Sequence, residues 1–228
     1  MSIADNLLKY KNELDAVGVK LVAVSKNNPA ESALEAYNAG QRVFGENLVQ
    51  EMVDKQAQLP ADIEWHLIGH LQTNKVKYIA PFIKLIESVD SFKLLKEIDK
   101  QAAKNQRVID CLLQICIADE ETKYGLEFDE AIEILRSDEF ENLKNVRIVG
   151  LMGIATNNAS EAQTKIEFNE LKILFDGIKL SFFRKDDFFK EISMGMSSDY
   201  QLAITEGSTM VRIGSSIFGK RTIKHWKA

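Results

Sequence analysis

Lys26 closes the apolar run V-K-L-V-A-V-S-K (19–26), and a lysine directly behind residues of buried character is a position where chemistry is indicated. Burial penalises the ammonium form and releases the neutral amine, the nucleophile that attacks a carbonyl to form a Schiff base. The same position also suits a lysine that opens a surface loop, so Lys26 needs partners. The last apolar run holds V-R-I-G-S-S-I-F, with Arg212 inside it, where a cation must be paired or put to use. Gly214 admits close backbone approach, and the N–H groups and hydroxyls of Ser215 and Ser216 can cradle a phosphate. The segment S-M-G-M-S-S-D repeats the theme with Ser193 and Gly195. A single glycine–serine pair is more often a turn than an anion site; two of them on successive strands bring the two readings level.

Other constellations carry less. His66 and His70 stand four apart with no cysteine or third histidine near them, which does not make a metal site. Glu46 and Glu51 have the residue types of a glycosidase acid pair, but Glu51 falls one turn into an expected surface helix, where capping or solvation explains it. Lys123, Tyr124 and Gly125 follow the fifth apolar run and could shape a pocket rim, Tyr124 being the candidate for an additional acid or base. Cys111 and Cys116 are five apart in an extended run, so they point to opposite faces and read as packing residues in a reducing compartment.

The elements that must position these residues alternate. Eight β-rich runs are expected at 19–26, 42–46, 63–69, 84–90, 108–117, 146–154, 191–197 and 209–218. Between them lie segments with apolar spacings of three and four, such as Ala33, Leu34 and Tyr37 after Pro29, and Leu94, Leu95 and Ile98 after Ser91. Ser91 and Ser160 occupy N-cap positions and Pro29 suits a first helical turn. The clearest amphipathic helix is expected at 160–181 with Ile166, Leu171 and Leu174 inward; a leading helix covers about 3–16, and a short one lies near 199–206. Strand and helix in alternation over this length favour one closed (β/α)8 barrel over residues 18–219, with an open α/β sheet as the other solution. Three prolines and no serine- or glycine-rich linker point to a single domain spanning 1–228. In a barrel, chemistry belongs at the C-terminal ends of the strands.

Composition narrows the function classes. With 45% hydrophobic and 28% charged residues the chain is of the ordinary soluble globular type, and 29 Lys plus Arg against 34 Asp plus Glu lacks the basic excess that nucleic acid requires. No apolar run approaches a membrane span and the N-terminus has no signal core, so the expected location is cytoplasmic.

At the level of whole motifs the sequence resembles the pyridoxal 5′-phosphate homeostasis protein family, also known as proline synthase co-transcribed homologues. The motifs are V-A-V-S-K-N-N-P (22–29), F-G-E-N-L-V-Q-E (44–51), W-H-L-I-G-H-L-Q-T-N-K (65–75), T-K-Y-G-L (122–126), G-L-M-G-I (150–154), S-M-G-M-S-S-D (193–199) and V-R-I-G-S-S-I-F-G (211–219). The resemblance spans nearly the whole chain and implies the alanine racemase barrel, a fold-type III pyridoxal-phosphate fold. It further implies that Lys26 holds the cofactor and Arg212 faces its pyridine nitrogen, with Ser193, Gly214 and Ser215 on the phosphate and Asn47, His66 and Met152 lining the pocket. Arg212, a permanent cation with no proton to accept, would leave that nitrogen unprotonated and support carbanion chemistry weakly. The implied function is reversible cofactor binding in pyridoxal-phosphate homeostasis with little turnover, pyridoxal-phosphate-dependent enzymes being recipients and the protein acting as a monomer. A racemase, or a cofactor-free aldolase using Lys26, are the enzymatic alternatives. The middle residues of S-K-x-x-P, here Asn27 and Asn28, and the segment S-F-F-R-K-D-D-F-F are less familiar for the family.

Overall fold

A computed structural model describes residues 2–118 and 124–219 of the chain. Helix α1 (Ile3–Ala16) begins in a capping box, Ser2 Oγ accepting the Asp5 N–H at 3.1 Å while the Asp5 carboxylate accepts the Ser2 N–H at 3.0 Å. Eight strands follow: β1 (Lys20–Val24), β2 (Val43–Glu46), β3 (Glu64–Leu67), β4 (Leu85–Val89), β5 (Ile109–Ile115), β6 (Val146–Gly153), β7 (Glu191–Met196) and β8 (Met210–Ile213). All neighbours are parallel, and β8 closes on β1 with Met210 opposite Lys20 and Arg212 opposite Val22. The intervening helices are α2 (Ala30–Asn38), α3 (Val49–Gln56), α4 (Val76–Ile79), α5 (Phe92–Lys104), α6 (Phe128–Arg136), α7 (Asp138–Glu141), α8 (Glu161–Phe182), α9 (Tyr200–Thr205) and α10 (Ser215–Phe218). The expected (β/α)8 barrel is the fold.

Strands covered on both faces read as continuous apolar runs, and β4, L-I-E-S-V, is buried at every position. The two-residue period of a strand sorts each run into two cores. Val22, Leu85, Leu112, Val149, Met152 and Met210 meet inside the barrel, whereas Leu21, Phe44, Leu67, Ile86, Leu151 and Val211 face the helix layer. Each fully buried side chain of this size contributes about 1.5–3 kcal/mol, and truncation to alanine would cost about 2–5 kcal/mol. Polar residues that share parity with the inner set must therefore sit within the barrel: Glu87 two after Leu85, Arg212 two after Met210.

Several local expectations are corrected. In α8 the buried stripe is Thr164, Glu167, Phe168, Leu171, Phe175 and Ile178, while Ile166 is 54% exposed, because the helix turns its 164–168–171–175 face to the sheet. The last strand stops at Ile213, and S-S-I-F is a helical turn rather than strand, since Ile217 and Phe218 both bond back to the Gly214 carbonyl. Ser91 and Ser160 do cap their helices, accepting from Leu94 N at 3.3 Å and Gln163 N at 3.2 Å. Among the described residues no helix is long and apolar enough to cross a membrane.

Candidate functional site

The C-terminal ends of the strands surround a cavity of about 430 Å³. Lys26, two residues past the end of β1, is half-buried on its wall. Arg212 forms part of its floor, Gly214 and Ser215 contribute from the start of α10, and Asn47 from the end of β2. The structure thus brings together five of the residues singled out from the sequence. It adds Ser197 and Ser198, which stand just after β7 on the same cavity. A turn presents them, in which Asp199 accepts the Met196 N–H at 2.6 Å and the Ser198 hydroxyl at 3.3 Å. The glycine–serine pattern of S-M-G-M-S-S-D did mark this rim; the cavity serines are the second pair and not Ser193.

Gly214 stands where a side chain would be tight. A Cβ there would lie 3.1 Å from the Val24 carbonyl oxygen and 3.3 Å from Val24 Cβ, so a side chain would press on the end of β1 beside Lys26. The first N–H groups of α10 have no intrahelical acceptor, as at any helix start. Gly195 has φ +96 and lies where a Cβ would meet Ala203 Cβ at 2.6 Å; it serves the packing of α9 on β7 and does not line the cavity.

Three residues expected in the pocket lie beneath it. Ser193, His66 and Met152 do not line the cavity, because their inward parity places them deeper in the barrel, at 0%, 2% and 0% exposure. Met152 packs in the inner apolar cluster. Ser193 and His66 belong to a buried polar chain. Arg212 Nη1 donates to Ser193 Oγ at 2.6 Å, and Ser193 Oγ donates to Glu87 Oε2 at 2.6 Å. Glu87 Oε1 pairs with His66 Nδ1 at 2.7 Å, and Arg212 Nη2 donates to the Gly153 carbonyl at 2.9 Å. Burial pushes the Glu87 carboxyl up, but the His66 hydrogen bond, the charges of His66 and Arg212, and the Ser193 hydroxyl outweigh it and hold the group below the usual carboxylate range. An ionised Glu87 accepts only, so the His66 nitrogen facing it carries the proton. Burial also draws the Arg212 guanidinium down, against the pull of Glu87 and Asp199. Glu87 was missed at the level of sequence, although a glutamate at the centre of an otherwise apolar strand is the signal that marks it.

The remaining candidates separate from the cavity. Tyr124 is 62% exposed, packs tilted against His70 with centroids 4.9 Å apart, and lines a neighbouring cavity that shares Ile154, Asn157 and Met196 with the first. His70 pairs with Asp90 at 2.7 Å. Lys123 lies outside the described residues. Glu51, expected at the surface, is fully buried and bonded to Lys55, because α3 turns this face onto β2. Cys111 is buried, its thiol pushed up by burial, and Cys116 is half-buried just past β5. Asn47 offers a buried side-chain oxygen with no hydrogen-bond partner, on the cavity wall. Such an orphan acceptor, next to an amine, a guanidinium and paired hydroxyls, fits a ligand with hydrogen-bond donors, a carbonyl carbon and an anionic group.

Eight parallel strands, an amine on the cavity wall, a guanidinium at the barrel floor and serine pairs after the last two strands define a barrel of the alanine racemase type. The chain belongs to the alanine racemase N-terminal domain family, whose model matches residues 1–222, and within it to the pyridoxal phosphate homeostasis proteins. It is 41% identical to the pyridoxal phosphate homeostasis protein of Aquifex aeolicus (strain VF5) over 203 residues, 89% of this chain and 87% of that one. Identity to the Escherichia coli (strain K12) protein of the same description is 34% over 232 residues, covering 96% and 97% of the two chains. Among solved structures, PipY of Synechococcus elongatus PCC7942 with PLP bound superposes with a TM-score of 0.86 at 37% identity, over 96% of this chain and all of that one. Alanine racemase from Bartonella henselae, at 16% identity and a TM-score of 0.68 over 98% of this chain and 62% of that one, shares the fold.

Proposed function

We propose that this protein binds pyridoxal phosphate covalently and reversibly through Lys26 and acts in pyridoxal-phosphate homeostasis, with little or no turnover of its own. The observation that carries this reading is the meeting of Lys26, Arg212 and the three serines 197, 198 and 215 on one cavity at the C-terminal mouth. When bound, the cofactor supplies an aldehyde for amine capture and an electron-withdrawing ring. Lys26 provides the amine. The Ser215 hydroxyl and the opening N–H groups of α10, together with the Ser197 and Ser198 hydroxyls, hold the phosphate by charge-assisted hydrogen bonds. Asn47 orients the ring from the β2 side through its unpaired oxygen. Arg212, tied down by Ser193 and the Gly153 carbonyl, presents a cation that has no proton to accept and keeps the ring nitrogen unprotonated. His66, Met152 and Ser193 support this floor from below.

The same reading makes the protein a monomeric cytoplasmic carrier that releases its cofactor to pyridoxal-phosphate-dependent enzymes. It is supported by a cavity lined by this chain's own residues, with the Lys26 side chain on its wall.

The test is borohydride reduction of the protein loaded with pyridoxal phosphate, followed by peptide mass mapping. The expected result is a single reduced adduct on the peptide carrying Lys26, with loss of visible absorbance. An adduct on Lys75, which lines a neighbouring cavity with Asn47 and His70, would overturn the assignment.

A further inference from the structure

Ser25 and Asn27, the residues on either side of Lys26, are both held by polar side chains from α3 in the layer between sheet and helices. Lys55 Nζ donates to the Ser25 carbonyl at 2.7 Å, and Glu51 Oε1 accepts the Asn27 N–H at 2.7 Å. The two clamping residues are one helical turn apart and bond to each other at 2.9 Å. Lys55 also donates to Glu46 Oε1 at 2.6 Å, and the Ser25 hydroxyl donates to that same oxygen at 2.5 Å. Ser25, Glu46 and Glu51 are wholly buried and Lys55 is 2% exposed.

This is an expensive way to fill space. Two glutamate side chains face one lysine, and Glu46 Oε2 and Glu51 Oε2 have no hydrogen-bond partner. Buried ionic groups of this kind are frequently less stabilising than apolar residues of equal volume. Apolar residues, however, could not grip a carbonyl on one side of Lys26 and an N–H on the other. The backbone between those grips is unusual as well, for Asn27 adopts φ +60, the left-handed region that a non-glycine residue enters at a cost. Ser25 is buried against Glu46 and Lys55, while Lys26, in the turn that follows β1, lines the cavity.

We infer that Glu51 and Lys55 are positioning residues for Lys26: together with Glu46 they lock residues 25–27 so that the lysine amine is held at the cavity wall before a ligand arrives. The inference rests on Lys26 being the covalent anchor. It assigns a function to the Glu46–Glu51 pair that neither acid catalysis nor helix capping accounts for.

A mutant cycle read on cofactor capture tests it. In Glu51→Leu, or in the volume-matched Glu51→Met/Lys55→Met pair should the single variant not fold, the rate of covalent pyridoxal phosphate capture is expected to fall by about tenfold or more, the scale on which small misplacements act. Glu51→Gln keeps an acceptor for the Asn27 N–H and is expected to stay within about threefold of the parent. In the Lys26→Ala background, where only phosphate-anchored binding remains, the Glu51 substitutions should change cofactor affinity by less than about twofold. Equal losses in both backgrounds would reduce the cluster to general structural support and overturn the inference, as would parent-like capture in the folded leucine or methionine variants. Reducible visible absorbance surviving in Lys26→Ala itself would overturn the anchor assignment, and the clamp with it.

Discussion

Arg212 reaches Glu87 across the interior of the barrel through the hydroxyl of Ser193, which accepts from Nη1 and donates to Oε2 at 2.6 Å each, leaving the two charges 3.9 Å apart. The cation at the cavity floor is thus neutralised from beneath, with His66 completing the chain on the far side of Glu87.

Removing the counter-charge should expose its energetic role. Glu87→Gln leaves the shape of the chain and an uncompensated buried guanidinium, and its expected cost is about 3 kcal/mol in urea unfolding at neutral pH. Because the Glu87 carboxyl is held below its ordinary range, its contribution is complete above the unfolded value and disappears as the pH falls through the folded one. The gap between parent and variant should therefore narrow on the acid side. A gap that stays constant down to the lowest pH at which the protein folds would contradict an ionised Glu87.

Glu46 carries the opposite sign. Burial, with Glu51 adding to it, pushes its carboxyl up to about 7 against the pull of Lys55 and Ser25. A carboxyl raised in the folded state binds its proton more tightly there. Its contribution is present below the ordinary carboxylate value and lost as the pH climbs toward 7. Parent stability relative to Glu46→Gln should fall between pH 4.5 and about 7 by up to about 3 kcal/mol and level off above, measured by chemical unfolding across that window. A flat difference would show that Glu46 does not exchange its proton there.

Phosphate recognition is expected to separate the cavity serines from the buried one. Ser198→Ala combined with Ser215→Ala is expected to weaken pyridoxal phosphate binding more than tenfold relative to unphosphorylated pyridoxal, since charge-assisted hydrogen bonds are worth about 1.5–3 kcal/mol each. Ser193→Ala should weaken both ligands alike, by releasing Arg212. Titrations followed by absorbance decide it, and a selective phosphate defect in Ser193→Ala would return that residue to the phosphate site.

With Arg212 at the cavity floor, the proposed function predicts the absence of carbanion chemistry. With L-alanine in deuterated water, the cofactor-loaded protein should show spectral change without loss of the α-proton signal by NMR. Exchange on the order of 1 per second or faster, the range of working enzymes, would replace the carrier reading with a racemase.

Much of this protein was legible in one dimension. Strand positions follow from runs such as L-V-A-V and L-I-E-S-V because parallel strands buried on both faces are predominantly apolar, and eight of them alternating with helices favour a closed barrel over an open sheet. Lys26, Arg212, Gly214 and Ser215 stand out because their residue types are costly at the positions they occupy, and cost is readable from sequence.

What the sequence could not assign is depth and facing. Ser193 and Ser198 belong to one serine-rich motif, yet one is sealed in the barrel and the other lines the cavity, because β7 ends between them at Met196. Glu51 reads as a solvent-facing helix residue until α3 packs its Glu51–Lys55 face onto β2. Glu87 and Arg212 are 125 residues apart and become partners only when β4 and β8 meet across a closed barrel. Local propensity and parity determine which elements form and which side chains point inward. The partner each inward group meets depends on strand stagger, closure and helix docking, which are properties of the packed chain as a whole.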